Sequence, residues 1–152
     1  MRRLLLFVMF ASMVGAGAMA QTVERQTYVM SAKMHHDLDA RQFDSKRIEQ
    51  IVGGVAQALN TKSLAPILDM SAPEIRITDG GVNKVVKKQQ LAAFKARLFA
   101  DPTLKSDVTD ESQFTLKSDE VGLARGTIWI KEECLDDGCS QKKTSIITIN
   151  IP

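Results

Sequence analysis

The stretch that decides the fold runs from Gln113 to Ile151, QFTLKSDEVGLARGTIWIKEECLDDGCSQKKTSIITINI. Apolar residues recur in it at every second position: Phe114 and Leu116, then Val121 and Leu123, then Ile128 and Ile130, then Ile147, Ile149 and Ile151. A period of two sends alternate side chains to opposite faces, so the run reads as β-sheet with one apolar side. The strands it predicts are Gln113 to Ser118, Glu120 to Glu133 and Lys143 to Ile151. Gly122 and Gly126, inside the middle strand, are places for a bulge or sharp bend, and a strongly bent sheet can wrap around something.

Upstream, the period changes. Asp44 or Ser45 can cap a helix in which Ile48, Ile51, Val52, Val55, Ala56 and Leu59 share one face, and Asn60 ends it. Gly53 and Gly54 weaken that helix by about 1 kcal/mol each relative to alanine, which suggests close approach of another element there. Leu64 to Leu68 reads as one short turn interrupted by Pro66, and Ser71-Ala72-Pro73 as a break. Glu74 to Thr78 alternates as a strand, Asp79-Gly80-Gly81 is a turn, and Val82 to Val86 is a second strand, together a hairpin. Lys87 to Phe99 returns to helical spacing, with Leu91, Ala92, Phe94, Leu98 and Phe99 as its apolar stripe, and stops before Asp101-Pro102. Thr103 to Glu111 is a polar connection.

The first twenty residues read as a secretory signal peptide: Arg2 and Arg3, an apolar run from Leu4 to Val14, and Ala18-Met19-Ala20 before cleavage at Gln21. That run is too short to span a membrane, so the mature protein is expected to be periplasmic or secreted, with no stable membrane anchor. Removing twenty of 152 residues leaves one domain's worth of chain, read as an amino-terminal arm or frayed helix over 21–43 and a single α+β domain over 44–152. Arg2 and Arg3 account for the whole net charge of +2, so the mature chain is electrically balanced. Balance gives no general footprint for nucleic acid, which would need a local patch. Export into an oxidising compartment makes a disulfide between Cys134 and Cys139 the expectation. It would staple a long antiparallel hairpin and contribute about 2 kcal/mol through the short loop it closes.

Helix, β-hairpin, helix and three antiparallel strands, in that order over Asp44 to Pro152, resemble the cone-shaped domain of the nuclear transport factor 2-like, or cystatin-like, superfamily. Gly122-Leu123-Ala124-Arg125-Gly126-Thr127-Ile128-Trp129-Ile130 and Ile146-Ile147-Thr148-Ile149-Asn150 are similar to the last two strands of small exported members without assigned activity. The Lys87 to Phe99 helix stands ahead of them. The resemblance implies an α+β fold in which a curved antiparallel sheet packs on two to three helices. That scaffold carries isomerases, dehydratases, hydrolases, immunity proteins and plain binding modules, so it does not choose a function. Dimerisation through the sheet is common in the group, and a homodimer of that kind is an expectation here.

If the isoleucines alternate onto the helix-covered side, the polar positions left for a concave surface are Arg76, Arg125, Thr127, Trp129, Thr148 and Asn150. They would form a pocket with one aromatic wall and two guanidinium groups, suited to a small anion such as a carboxylate. The competing reading makes Trp129 core and the arginines snorkelling surface residues. His35 and His36 are adjacent and read as ordinary solvated side chains. Neither they with Asp37 nor the Asp136-Asp137-Gly138 loop supplies a metal set, and no cofactor is expected. Serine-hydrolase, cysteine-nucleophile, P-loop and dinucleotide fingerprints are absent, and no acid occupies mid-strand in the last two strands. The expected function is therefore a non-enzymatic binding or protein-interaction module of the cell envelope, with a small anionic ligand or an envelope protein as partner. The alternatives are a small isomerase- or hydrolase-like enzyme in the same cavity, which would need a desolvated acid, and an immunity or inhibitor protein.

Overall fold

The computed structural model describes residues 28–151; the expected signal peptide with its cleavage site, and residues 21–27 of the expected amino-terminal arm, lie outside the described residues. The chain is α+β, with a six-stranded sheet in the order β2-β1-β6-β5-β4-β3. Its elements are α1 (Ala32–Asp39), α2 (Ser45–Thr61), α3 (Ala65–Met70), β1 (Ser71–Asp79), β2 (Val82–Lys87), α4 (Lys95–Leu98), α5 (Leu104–Asp107), β3 (Thr115–Leu116), β4 (Glu120–Leu123), β5 (Ile128–Cys134) and β6 (Lys142–Ile151). Short 3-10 turns occupy Lys88–Phe94, Glu111–Gln113 and Ala124–Gly126.

The second helix follows its sequence signature closely. The Asp44 carboxylate accepts from the Arg47 amide at 3.0 Å, and Lys62 closes the other end in the left-handed region at φ 51°. Ile48, Ile51, Val52 and Val55 lose all exposure on its inner stripe, while Leu59 packs partly buried at its end. The expected close approach at the paired glycines is to α3, since a Cβ on Gly54 would sit 2.5 Å from the Met70 side chain. Residues 28–43, read as an arm or a frayed helix, hold α1, whose Leu38 is fully buried. Met30 and Phe43 join the same core, so α1 packs as part of the unit that was expected to begin at residue 44.

Several element boundaries differ from the sequence reading, each for a local reason. Pro66 does not interrupt α3 but opens it, in the first turn where its missing N–H is no loss. Ala72 and Pro73 belong to β1 rather than to a break. Pro73 falls where the β1–β6 register shifts and before pairing with β2 begins at Glu74, so no ladder bond is lost. The 87–99 helix is a 3-10 turn followed by the single-turn α4; Leu91 and Leu98 are buried but Ala92 is exposed. The polar connection over 103–111 holds α5, whose Leu104 enters the core beside Val108. The strand expected over 113–118 shrinks to Thr115–Leu116.

The largest correction concerns Glu120 to Glu133. Those residues are not one bent strand but a hairpin: β4 and β5 pair antiparallel, with Val121 opposite Ile130 and Gly122 opposite Trp129. The chain reverses through Ala124, Arg125 and Gly126, all at positive φ. Alternation cannot reveal this, because a strand that turns back keeps the same two-residue period. For the same reason the expected antiparallel sheet is in fact mixed. β1 runs parallel to β6, with Arg76 opposite Thr148 and Thr78 opposite Asn150. Periodicity tells which side chains share a face, not which way a strand runs.

The sheet is curved and unclosed, and it buries one face under the helices. Ile75 and Ile77 of β1, Ile128 and Ile130 of β5, Val121 and Leu123 of β4, and Ile146 and Ile149 of β6 all lie fully buried there. In β6 the extra residue is Ile147: Trp129 pairs with Thr148 but Ile130 with Ile146. This bulge shifts the alternation by one, so Ile146 replaces Ile147 in the core while Ile149 and Ile151 stay inward as expected.

Candidate functional site

All the strand residues of the opposite face can be read from the register. One row crosses all six strands: Val85 on β2, Arg76 on β1, Thr148 on β6, Trp129 on β5, Gly122 on β4 and Thr115 on β3. Trp129 is thus not core; Ile128 and Ile130 on either side of it are. Its ring lies flat on the backbone of β4, where an added Cβ on Gly122 would meet Cη2, Cζ3 and Cε3 at 3.0, 3.1 and 3.2 Å. The Lys117 ammonium covers the other side of the ring, 3.8 Å from its centroid. The ring is therefore held between a glycine floor and a lysine roof, with only part of its surface open to solvent.

The six residues expected to form an anion pocket separate into two groups. Arg76, Thr148 and Trp129 do stand side by side on the open face. Thr127 and Asn150 instead pin the β4–β5 turn, the Thr127 hydroxyl donating to the Ala124 carbonyl at 2.9 Å and the Asn150 amide to the Gly126 carbonyl at 2.6 Å. Arg125 sits at the head of that turn at φ 56°, donating to Gln113 at 2.7 Å and standing 3.7 Å from Asp107. It faces the far edge of the sheet, so its guanidinium and that of Arg76 do not converge. The open face is a strip, with Val85 and Arg76 exposed at one end and Trp129 beneath Lys117 at the other.

The covered side is packed with apolar side chains. The buried polar residues among those described are Ser45, Ser71, Thr144, Ser145 and Thr148. Against the expectation that no acid stands mid-strand in the last two strands, the Glu132 carboxylate lies within β5 opposite Thr144 and is enclosed to 7 % exposure. Its oxygens are fully engaged by the Asp44 amide at 2.7 Å, the Lys142 ammonium at 2.8 Å and the Thr144 hydroxyl at 3.3 Å, so it joins β5 to the start of α2 rather than serving as a free base.

A second polar cluster, missed from the sequence, fastens α1. His35 is not an ordinary solvated residue: its Nδ1 lies 2.8 Å from the Ser45 hydroxyl and its Nε2 2.8 Å from Glu49. Ser45 and Glu49 are four apart on α2, one turn of one face, and that spacing was the available signal. The order serine, histidine, carboxylate matches a nucleophile relay, but Ser45 keeps 5 % of its surface and offers no hydroxyl to a substrate. The chain of bonds stitches two helices. Beside it, Glu111 accepts from the Tyr28 hydroxyl at 3.0 Å, the Ser31 amide at 2.7 Å and the Ser31 hydroxyl at 2.5 Å. Partial burial pushes the Glu111 carboxyl up, but those hydrogen bonds together outweigh it and hold the group below the ordinary glutamate range. Burial first, then the Glu111 hydrogen bond and the Glu111 and Glu49 charges, push the Tyr28 phenol well above its ordinary range. His36 is exposed and stands 3.7 Å from Asp37.

Cys134 and Cys139 form the expected disulfide, with Cα atoms 4.7 Å apart. It closes the loop between β5 and β6, as expected: Cys134 pairs in register with Lys142 and Cys139 lies in the loop. Asp136 completes that loop by accepting from the Ser140 amide at 2.7 Å and from the Ser140 hydroxyl. Among the described residues no helix is long and apolar enough to cross a membrane, and no group of three metal-ligating side chains stands together. Arg97, Ala100, Asp101 and Pro102 line a shallow cleft that shares no residue with the open strip. No protein family, curated protein or solved structure matches the chain.

Proposed function

We propose that the protein is an exported interaction module of the cell envelope that binds a partner protein through the open face of its sheet. The observation that carries this reading is the Val85–Arg76–Thr148–Trp129 row, set on the face away from the helices while the other face buries the core. A solvated sheet face normally carries scattered polar residues. This one carries a valine 66 % exposed beside Arg76, next to a buried threonine and a half-open tryptophan. The disulfide supports an oxidising location, and the element order supports the nuclear transport factor 2-like resemblance, in which curved sheets serve as interaction faces. The test is a photo-crosslinking amino acid placed at Arg76 in protein expressed with its leader. A discrete adduct from Arg76, and none from the same group at exposed Gln57 on α2, is the expected outcome; equal labelling from both removes the reading.

A further inference from the structure

The charge balance of the chain conceals a local imbalance. From Gly80 to Ala100 there is no acidic residue, and the run carries Lys84, Lys87, Lys88, Lys95 and Arg97. The fold gathers this run at one edge of the sheet, as β2 and the helical turns after it. Arg97 is committed to a two-pronged pair with Asp79, at 2.5 and 2.7 Å, and Lys88 donates to the Leu68 carbonyl at 3.2 Å. Lys84, Lys87 and Lys95 remain exposed, and among the described residues none of them makes an ion pair within 4.0 Å. Val82 and Val85 stand among these cations at 55 % and 66 % exposure.

The backbone of the same edge is open. β1 and β2 are joined by a two-residue turn at Gly80 and Gly81, both at positive φ, which closes on the Asp79–Val82 pair. In such a hairpin the closing pair exchanges hydrogen bonds, and so do alternate pairs beyond it, here Ile77–Lys84 and Ile75–Val86. Asn83, Val85 and Lys87 then turn their N–H and C=O groups outward. The Lys87 amide confirms the phase, because it is taken by the Gln90 side chain at 2.9 Å instead of by β1. That leaves the amides and carbonyls of Asn83 and Val85 as an unpaired template beside exposed valines and lysines.

Resting on the interaction reading above, we infer that β2 receives an extended segment of a partner protein in which acidic and apolar side chains alternate, added as a seventh strand. Backbone bonds to Asn83 and Val85 fix its register, its apolar side chains lie along Val85 on the open face, and its acids fall on the other face of the strand, where Lys84 selects them. A second copy of the chain fits poorly. Antiparallel pairing of β2 with itself through Asn83 and Val85 would set Lys84 against its own copy, and the opposite edge, β3, offers only two residues.

The test uses the mature, disulfide-bonded chain and a rhodamine-labelled alternating peptide of four Asp-Val repeats, read by fluorescence anisotropy, with the Lys-Val analogue as control. The Asp-Val peptide binds and the Lys-Val peptide does not. Val85→Pro removes an outward donor without touching the β1–β2 ladder and weakens binding about tenfold, whereas Val85→Thr, which keeps the amide, stays within about twofold. Lys84→Glu weakens the Asp-Val peptide and admits the Lys-Val one, a gain that misfolding cannot imitate. Equal binding of both peptides, indifference to Val85→Pro, concentration-dependent self-association lost in Lys84→Glu, or binding of anionic vesicles unaffected by Val85→Pro each overturns the assignment. Absence of peptide binding with intact crosslinking from Arg76 overturns the edge alone, and absence of both overturns the interaction reading with it.

Discussion

Replacing Gly122 by alanine puts a methyl group under the Trp129 ring at 3.0 to 3.2 Å from three ring carbons, tighter than ordinary contact. The ring must rise by a few tenths of an ångström, and Lys117, 3.8 Å above it, must move with it. Overpacking of this size costs about 1–3 kcal/mol, against which the lost freedom of the unfolded glycine returns about 0.4–1 kcal/mol. The expected net effect is a destabilisation of about 1–2 kcal/mol. In a Trp129→Ala background the obstacle is gone and only the second effect survives, so the same substitution becomes neutral or stabilising, a coupling of about 2 kcal/mol. Gly126 supplies an internal control. It sits at φ 84° with its added Cβ 3.1 Å from the ring, and the left-handed penalty of about 1–2 kcal/mol persists when Trp129 is removed. Urea unfolding midpoints of the four proteins of the Gly122–Trp129 cycle, with the disulfide intact, give the numbers. Equal effects of Gly122→Ala in both backgrounds would refute the stacked ring and the open face it marks.

Three other perturbations follow from the same geometry. Leu38→Ala should destabilise by about 2–5 kcal/mol, since Leu38 is fully buried beneath α1, and an effect under about 0.5 kcal/mol in urea unfolding would detach α1 from the core. The native state holds the Glu111 carboxyl below its unfolded value, so the stability it contributes is complete above the unfolded pKa of about 4.3 and is lost as pH falls through the native one. Glu111→Gln should therefore flatten the acid limb of stability against pH; superimposable limbs would contradict the clasp. Replacing Cys134 and Cys139 together by serine should cost about 2 kcal/mol while leaving the far-ultraviolet sheet signal intact, because the bond closes a loop that Asp136 also holds.

The parts of this fold legible in the sequence are those governed by local rules. The cap at Asp44, the stripe of α2 and the Asp79-Gly80-Gly81 turn each depend on a few neighbouring residues, and each stands where the residues put it. The face assignment of Trp129 and Arg76 follows from the isoleucines beside them, since alternation carries that information. Strand direction and chain reversal are set by contacts distant in sequence, which is why the parallel β1–β6 pair and the β4–β5 hairpin were hidden. Gly126 marks a bend in the sequence and does stand in the turn at φ 84°, but the full reversal also needs Ala124 and Arg125, two non-glycine residues at positive φ, held by Thr127 and Asn150. Arg125, Thr127 and Asn150 point to a surface because they are polar and alternate; in the structure Thr127 and Asn150 bond the turn, and Arg125 stands at its head with its guanidinium on Gln113. The clasp of His35, Ser45 and Glu49 joins two helices, and only the four-residue step from Ser45 to Glu49 was visible beforehand.

Trp129 is the chain's sole tryptophan, so its fluorescence reports on one position of the sheet. Acrylamide quenching of the native, disulfide-bonded protein tests most directly whether the face away from the helices is open. The account predicts quenching intermediate between a buried indole and the unfolded chain, increased when Lys117→Ala lifts the cation from the ring. An emission unaffected by acrylamide until the protein unfolds would place Trp129 under cover and contradict the interaction face.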